Sequence, residues 1–152
     1  MKNNSVKIYL KKKKLNTNWR QINRSLNKFK YTFRGMHFQN KPYDEIKVVR
    51  CTKGKVVDIL FDKRKNSKTF LKTQCLYLSE NNNEMIYIPK GVAHGYLTLR
   101  NNSELMYFHS GNYNKKNSTG INIMDNNINF KLKKKIRIIS EKDKKLKFFN
   151  EV

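Results

Sequence analysis

The sequence predicts an all-β fold, an antiparallel sandwich or barrel that ends in a short helical segment. Short stretches rich in β-branched and aromatic residues recur at regular spacing from residue 45 onward. Turn-forming text, "ENNN", "PKG" and "RNNS", separates them. Helical signals are scarce until the last dozen residues.

The first strand is read in "YTFRGMHFQN", residues 31–40, where Tyr31 and Phe33 favour extended backbone. Gly35 within it marks a bend or a close approach of another backbone. "EIKVVRCT" and "KVVDILFD" flank Lys53-Gly54, which reads as a hairpin turn. "TQCLYLS", "EMIYIP", "GYLTL" and "ELMYFHS" follow as four further strands. The helix is placed in "SEKDKKLKFFNE", with Ser140 as N-cap and Asp143 at the third helical position.

The 152 residues are read as one domain, 1–152, with 38% hydrophobic and 12% aromatic residues, enough to bury a core. "VKIYL" near the start is too short and too interrupted by lysine for a signal peptide or a membrane span. Cys51 and Cys75 have neither metal nor redox spacing and read as buried, reduced thiols of a cytoplasmic protein. The formal charge of +23 suits an anionic partner. Its lysine runs, 11–14 and 131–135, read as solvated faces, and no nucleic-acid-binding motif accompanies them.

Three segments stand out together: "RGMHFQ", "IPKGVAHGY" and "SEKD". Pro89-x-Gly91-x-x-His94 resembles the second motif of cupin barrels, which makes the expected architecture a cupin-type jelly roll. Where a metal-binding cupin places His-x-His, this chain has His37-Phe38-Gln39. Two imidazoles without a third ligand make a poor divalent site, so no metal and no other cofactor is expected.

The ordered blocks "RGMHFQ", "KVVRCTKGKVVDILFDKRKNSKTF", "LSENNNEMIYIPKGVAHGY", "ELMYF" and "IISEKD" resemble the dTDP-4-dehydrorhamnose 3,5-epimerases, from about Gln21 to Phe148. That resemblance implies a metal-independent isomerase of deoxysugar biosynthesis, acting on a nucleotide-sugar substrate as a homodimer. It implies that His37 is the catalytic base and Asp143 its paired carboxylate. Tyr107 would be the acid on the other face of the sugar, Lys47 the cation beside the enolate, and Asp58 a second carboxylate near the base. Arg34, His94 and Lys142 fall on substrate-binding positions, and Tyr113 on the ring that stacks on the nucleobase. Gln21 and Asn23 match a Gln-x-Asn pair once one residue is inserted before Arg34. The family's Asp-x-Arg-Gly-x-Phe-x-Glu-like segment has no counterpart in the 33 residues before Arg34. Ser118 and Thr119 stand where an acidic residue is expected before Gly120, and "NFKL" replaces a Trp-Pro.

The residue types suit the chemistry. Protons at C3 and C5 of a 4-keto sugar are acidic because the C4 carbonyl takes up the charge, and a histidine has the basicity to remove them near neutrality. A carboxylate on its second nitrogen fixes the tautomer. Inversion needs reprotonation from the opposite face, hence a separate acid. Singly, Tyr107 reads rather as a core or rim aromatic, Asp143 as a helix-capping acid and Asp58 as a strand-edge residue. Their joint presence in ordered blocks favours the epimerase. Its rivals are a non-catalytic sugar-nucleotide-binding cupin and a basic nucleic-acid-binding protein that rests on charge alone. His37-Phe38-Gln39 argues against a sister 3,4-ketoisomerase, which tends to carry His-x-His-Lys.

Overall fold

A computed structural model describes Leu15 and residues 18–152; the lysine run at 11–14 lies outside the described residues. The chain forms β1 (Gln21–Asn27), β2 (Thr32–Gln39), β3 (Lys47–Lys53), β4 (Lys55–Asp62), β5 (Thr73–Ser79), β6 (Met85–Ile88), β7 (Val92–Thr98), β8 (Ser103–His109), β9 (Ser118–Gly120) and β10 (Ile138–Ile139). One helical turn, α1 (Glu141–Lys144), follows β10. One sheet runs β1-β8-β3-β6 and the other β10-β2-β7-β4-β5, with β9 paired to β2. All pairings are antiparallel except β10 with β2. The expected all-β sandwich is what forms. Among the described residues no helix is long and apolar enough to cross a membrane.

Two apolar clusters follow from the period of two along these strands. Val49, Cys51, Val56, Leu78, Ile86, Ile88 and Leu105 pack between the sheets. Phe33, Met36, Phe38, Val57, Ile59 and Phe61 point the other way. They are covered by the chain after β9, through Ile121, Ile123, Ile128 and Phe130. Both faces of β2, β4 and β7 are therefore buried, and their near-continuous apolar runs are explained.

Three expectations are corrected. Lys53-Gly54 is a corner between sheets, because β3 pairs with β6 and β8 while β4 pairs with β5 and β7. Gly54 takes φ +77°, and a Cβ there would meet the Ser103 Oγ at 2.5 Å, so the connection needs glycine. Cys75 is exposed, while Cys51 is buried. It lies on the edge strand β5 opposite Ile59, where the covering chain leaves a groove between Cys75 and Phe130. The C-terminal helix is one turn only. Ser140 caps it as expected, accepting from the Asp143 N–H. The Asn122 side chain then takes the Lys144 and Leu146 carbonyls, and Phe149 docks edge-on against Phe61. Tertiary contacts pull the chain off the helical path.

The strand that positions the site is β2. Its register against β7 shifts between Arg34 and His37. In an unbroken strand, residues three apart face opposite sides. The extra residue restores parity, so Arg34 and His37 share one face while Phe33, Met36 and Phe38 share the other. Gly35 makes this possible. Its φ is +126°, and a Cβ would lie 2.5 Å from the Gly95 Cα and 2.8 Å from the His94 oxygen. Gly35→Ala is therefore expected to lose about 1–3 kcal/mol from backbone strain alone. Urea denaturation would show it as a lower midpoint, and an unchanged midpoint would contradict the bulge's dependence on glycine.

Candidate active site

A cavity of about 490 Å³ opens between the sheets, lined by residues of five strands that include Asn23, Arg34, His37, Lys47, His94 and Tyr107. It lies where the interior stops being apolar. On β7, His94 and Tyr96 alternate with core residues Ala93 and Leu97. On β8, Tyr107 and His109 continue the inward row begun by Leu105. His37 and His94 are direct neighbours across β2 and β7. Arg34 and the two histidines thus stand on one sheet, while Lys47 and Tyr107 stand on the other.

His37 Nε2 lies 2.6 Å from the Asp143 Oδ1. The imidazole is 38% exposed and the carboxylate 3%, so the ring reaches the cavity with its partner behind it. The second Asp143 oxygen accepts from the Gly35 N–H at 3.3 Å. Burial would raise the Asp143 pKa. The hydrogen bond and charge of His37, with the Gly35 and Ser140 contacts, outweigh it and hold the carboxyl below its ordinary value. An ionised Asp143 accepts the Nε2 proton and leaves Nδ1 of a neutral His37 as the basic nitrogen.

Asp58, expected near the base, binds the neighbour of His37: its Oδ2 lies 2.8 Å from the His94 Nε2. Both groups are buried, and the Asp58 Oδ1 has no hydrogen-bond partner. His94 in turn meets the Tyr107 ring edge-on at 6.0 Å. Burial pushes the Tyr107 hydroxyl well above its ordinary value, and the nearby Tyr96 and Asp58 add to this. It therefore stays protonated. Burial lowers the Lys47 ammonium, opposed by the Glu45 carboxylate 3.6 Å away. Arg34 Nε is 3.5 Å from the Asn27 Oδ1 and takes part in none of the described ion pairs.

Not every expected residue lines the cavity. Gln21 lies behind Asn23, donating to its Oδ1 at 2.9 Å. Tyr113 is 56% exposed and reaches the site only through its N–H, which donates to the Gln21 Oε1. Lys142 sits on α1 beside Asp143, outside the lining. Sequence reasoning missed Ser25, Tyr96, His109 and Glu45. The Tyr96 hydroxyl is held by Ser25 at 2.8 Å and Asn27 at 3.0 Å. A signal existed for Tyr96 and His109, since each stands two residues beyond a chosen cavity residue on the same strand. Among the described residues no group of three or more His, Cys, Asp or Glu could hold a metal ion.

The Asp143 carboxyl gives a pH-dependent stability with a definite sign. Its folded pKa is depressed, so the unfolded chain binds more protons as acid is added. The stabilisation is present above its ordinary value of 3.8 and is lost as pH falls through the folded value. Asp143→Asn should therefore be less stable than the parent at neutral pH, with the gap narrowing towards pH ~3. Urea denaturation at both pH values measures it, and a gap that does not narrow would mean that Asp143 is not held ionised.

Comparison with known proteins gives this site a family. The family model for dTDP-4-dehydrorhamnose 3,5-epimerase matches residues 4–151. The Shigella flexneri dTDP-4-dehydrorhamnose 3,5-epimerase is 38% identical over 114 residues, 75% of this chain and 63% of that protein. The Sinorhizobium fredii (strain NBRC 101917 / NGR234) enzyme is 35% identical over 124 residues, 81% of this chain and 64% of that protein. The chain thus spans under two thirds of these relatives. The crystal structure of the Elizabethkingia anophelis NUHP1 dTDP-4-dehydrorhamnose 3,5-epimerase has a TM-score of 0.89 at 30% identity, over 97% of this chain and 81% of that one. The Legionella pneumophila Philadelphia 1 dTDP-6-deoxy-D-glucose-3,5-epimerase, in complex with dTDP-4-keto-L-rhamnose, has a TM-score of 0.88 at 27% identity, over 99% and 80%. By the family match across nearly its whole length, the chain belongs to the dTDP-4-dehydrorhamnose 3,5-epimerase family.

Proposed function

We propose that the protein is an epimerase of a nucleoside-diphosphate 4-keto-6-deoxyhexose, inverting C3, C5 or both in dTDP-rhamnose-type biosynthesis. The observation that carries this reading is the placement of a carboxylate-held imidazole and a protonated tyrosine on opposite walls of one cavity. The dTDP-4-keto-L-rhamnose held by the Legionella protein supports the substrate class. The reading includes the homodimer that the family resemblance implies and the cytoplasmic location read from the spacing of the two cysteines.

The reaction follows from the two walls. His37 takes the proton from the carbon next to the C4 carbonyl, and the C–H electron pair moves to the carbonyl oxygen as an enolate. Asp143 keeps the ring in place and stabilises the imidazolium that forms. Lys47 supplies positive charge at the enolate oxygen, a contribution of ~3–4 kcal/mol if it equals that of an oxyanion donor. The Tyr107 O–H then delivers a proton to the other face of the carbon as the carbonyl re-forms. Solvent restores the tyrosine proton and removes that on His37. Arg34 is placed to bind an anionic part of the substrate, with its guanidinium N–H fork suited to phosphate oxygens. Asp58 fixes the His94 ring, which leaves Nδ1 of that ring for the substrate.

Deprotonation and inversion should separate in Tyr107→Phe, because the base, its carboxylate and Lys47 all remain. Proton NMR in D2O with a 4-keto-6-deoxyhexose nucleotide reads both events. Deuterium should still enter at C3 or C5, while inverted product falls by ~10²–10⁴-fold. His37→Ala should stop both. An unchanged ratio of wash-in to inversion would remove Tyr107 from the role of acid. Wild-type protein that binds the nucleotide sugar without exchanging its protons would establish the non-catalytic alternative.

A further inference from the structure

The cavity is lined by a third histidine, His109, and a third carboxylate, Glu45, stands behind it; the reaction above uses neither. The His109 Nδ1 lies 3.1 Å from the Glu45 Oε2, and the other Glu45 oxygen lies 3.6 Å from the Lys47 Nζ. Both side chains are enclosed, His109 13% and Glu45 7% exposed. The His109 ring stacks on Tyr107 at 5.9 Å and 27°. On its other side the His109 Nε2 lies 3.4 Å from the Asn23 Nδ2.

The direction of every hydrogen bond here is fixed from its two ends. The Tyr113 backbone N–H can only donate, so the Gln21 oxygen accepts. The Gln21 amide N–H₂ therefore faces the Asn23 Oδ1, and the Asn23 N–H₂ faces the His109 Nε2. An amide N–H₂ donates, so Nε2 accepts and Nδ1 carries the proton. Nδ1 then donates to the Glu45 carboxylate, which can only accept. The chain runs one way from Tyr113 at the rim to Glu45, whose other oxygen faces the Lys47 ammonium from the opposite side.

We propose that Glu45 and His109 are positioning residues for the Lys47 cation, joined by this directional chain to the rim at Gln21 and Tyr113. Glu45 keeps the ammonium charged and aimed, and neutral His109 keeps Glu45 turned towards it. Ordering of Gln21 and Asn23 by a bound nucleotide sugar then strengthens the same links that hold Lys47. The groups facing Lys47 are Glu45 beside it, Tyr107 and His109 on β8, Asp58 on β4, and Arg34, His37 and His94 across the cavity. This assignment rests on the epimerase reading for its effect on rate. Its structural content stands apart from it.

The test uses protein labelled with ¹⁵N-lysine, with the Lys47 Nζ signal assigned by its loss in Lys47→Arg. In Glu45→Gln, an isosteric change, the Lys47 titration should move to lower pH by about 1 unit or more, as when an opposite charge is lost. The alkaline limb of deuterium wash-in should move the same way, with kcat falling more than KM rises. His109→Phe keeps the ring on Tyr107 and removes the donor. It should give a smaller shift of the same sign, and His109→Asn, whose amide N–H₂ takes the place of Nδ1–H, should restore it. If Glu45→Gln does not fold, the His109 pair alone decides. A Lys47 titration unmoved in Glu45→Gln, or His109→Asn no closer to wild type than His109→Phe, would overturn the proposal. Wild-type protein without wash-in would overturn the epimerase reading instead, while the titration of Lys47 would still decide the network.

Discussion

The site depends on how Asp143 is held. One of its oxygens meets the His37 ring and the other meets the Gly35 N–H. Its own N–H is bound by the Ser140 side chain at the start of a single helical turn. Burying a carboxylate this deeply is costly unless it is hydrogen-bonded, and here the partners come from two segments more than a hundred residues apart. The same clamp ties the C-terminal turn to the bulge of β2. The bulge puts Arg34 and His37 on one face. Gly35 thus serves three ends: it lets the backbones of β2 and β7 approach, it shifts the register, and it supplies an N–H to the carboxylate.

A chain with 34 basic and 11 acidic residues spends three of its few carboxylates around one cavity. Asp143 serves His37, Asp58 serves His94, and Glu45 lies between His109 and Lys47. Each imidazole lining the cavity is therefore tied to an acid that fixes one of its nitrogens. Arg34 stands outside these pairs. An anion can therefore meet its guanidinium without displacing a carboxylate.

The strand pattern was legible where a strand buries one or both faces. "KVVDILFD" and "TQCLYLS" are β4 and β5 to the residue, because their apolar positions alone place them. β1 was missed because its inward row is polar. Gln21, Asn23, Ser25 and Asn27 lie opposite the inward residues of β8, while Ile22 and Leu26 are exposed. A strand that lines a wet cavity reverses the usual pattern, so periodicity reads it as a loop. The hairpin reading of Lys53-Gly54 failed for a different reason. Glycine between two strands announces a sharp turn, and only pairing partners reveal whether the turn stays in one sheet. His37, Asp143, Lys47 and Tyr107 came from ordered motifs. The pairing of Asp58 with His94 did not, because strand register decides which imidazole a carboxylate meets. Glu45 and His109 lie 64 positions apart, a contact that neither segment announces.

The most direct test of His37 as a base held by Asp143 is the tautomer of its imidazole. Nitrogen-15 NMR of the histidine rings, assigned with His37→Ala and read above the pH at which the ring is neutral, reports which nitrogen carries the proton. The proton should sit on Nε2, facing Asp143, with Nδ1 bare towards the cavity, and Asp143→Asn should disturb that preference. A proton on Nδ1 would contradict the account, since no basic nitrogen would then face the substrate.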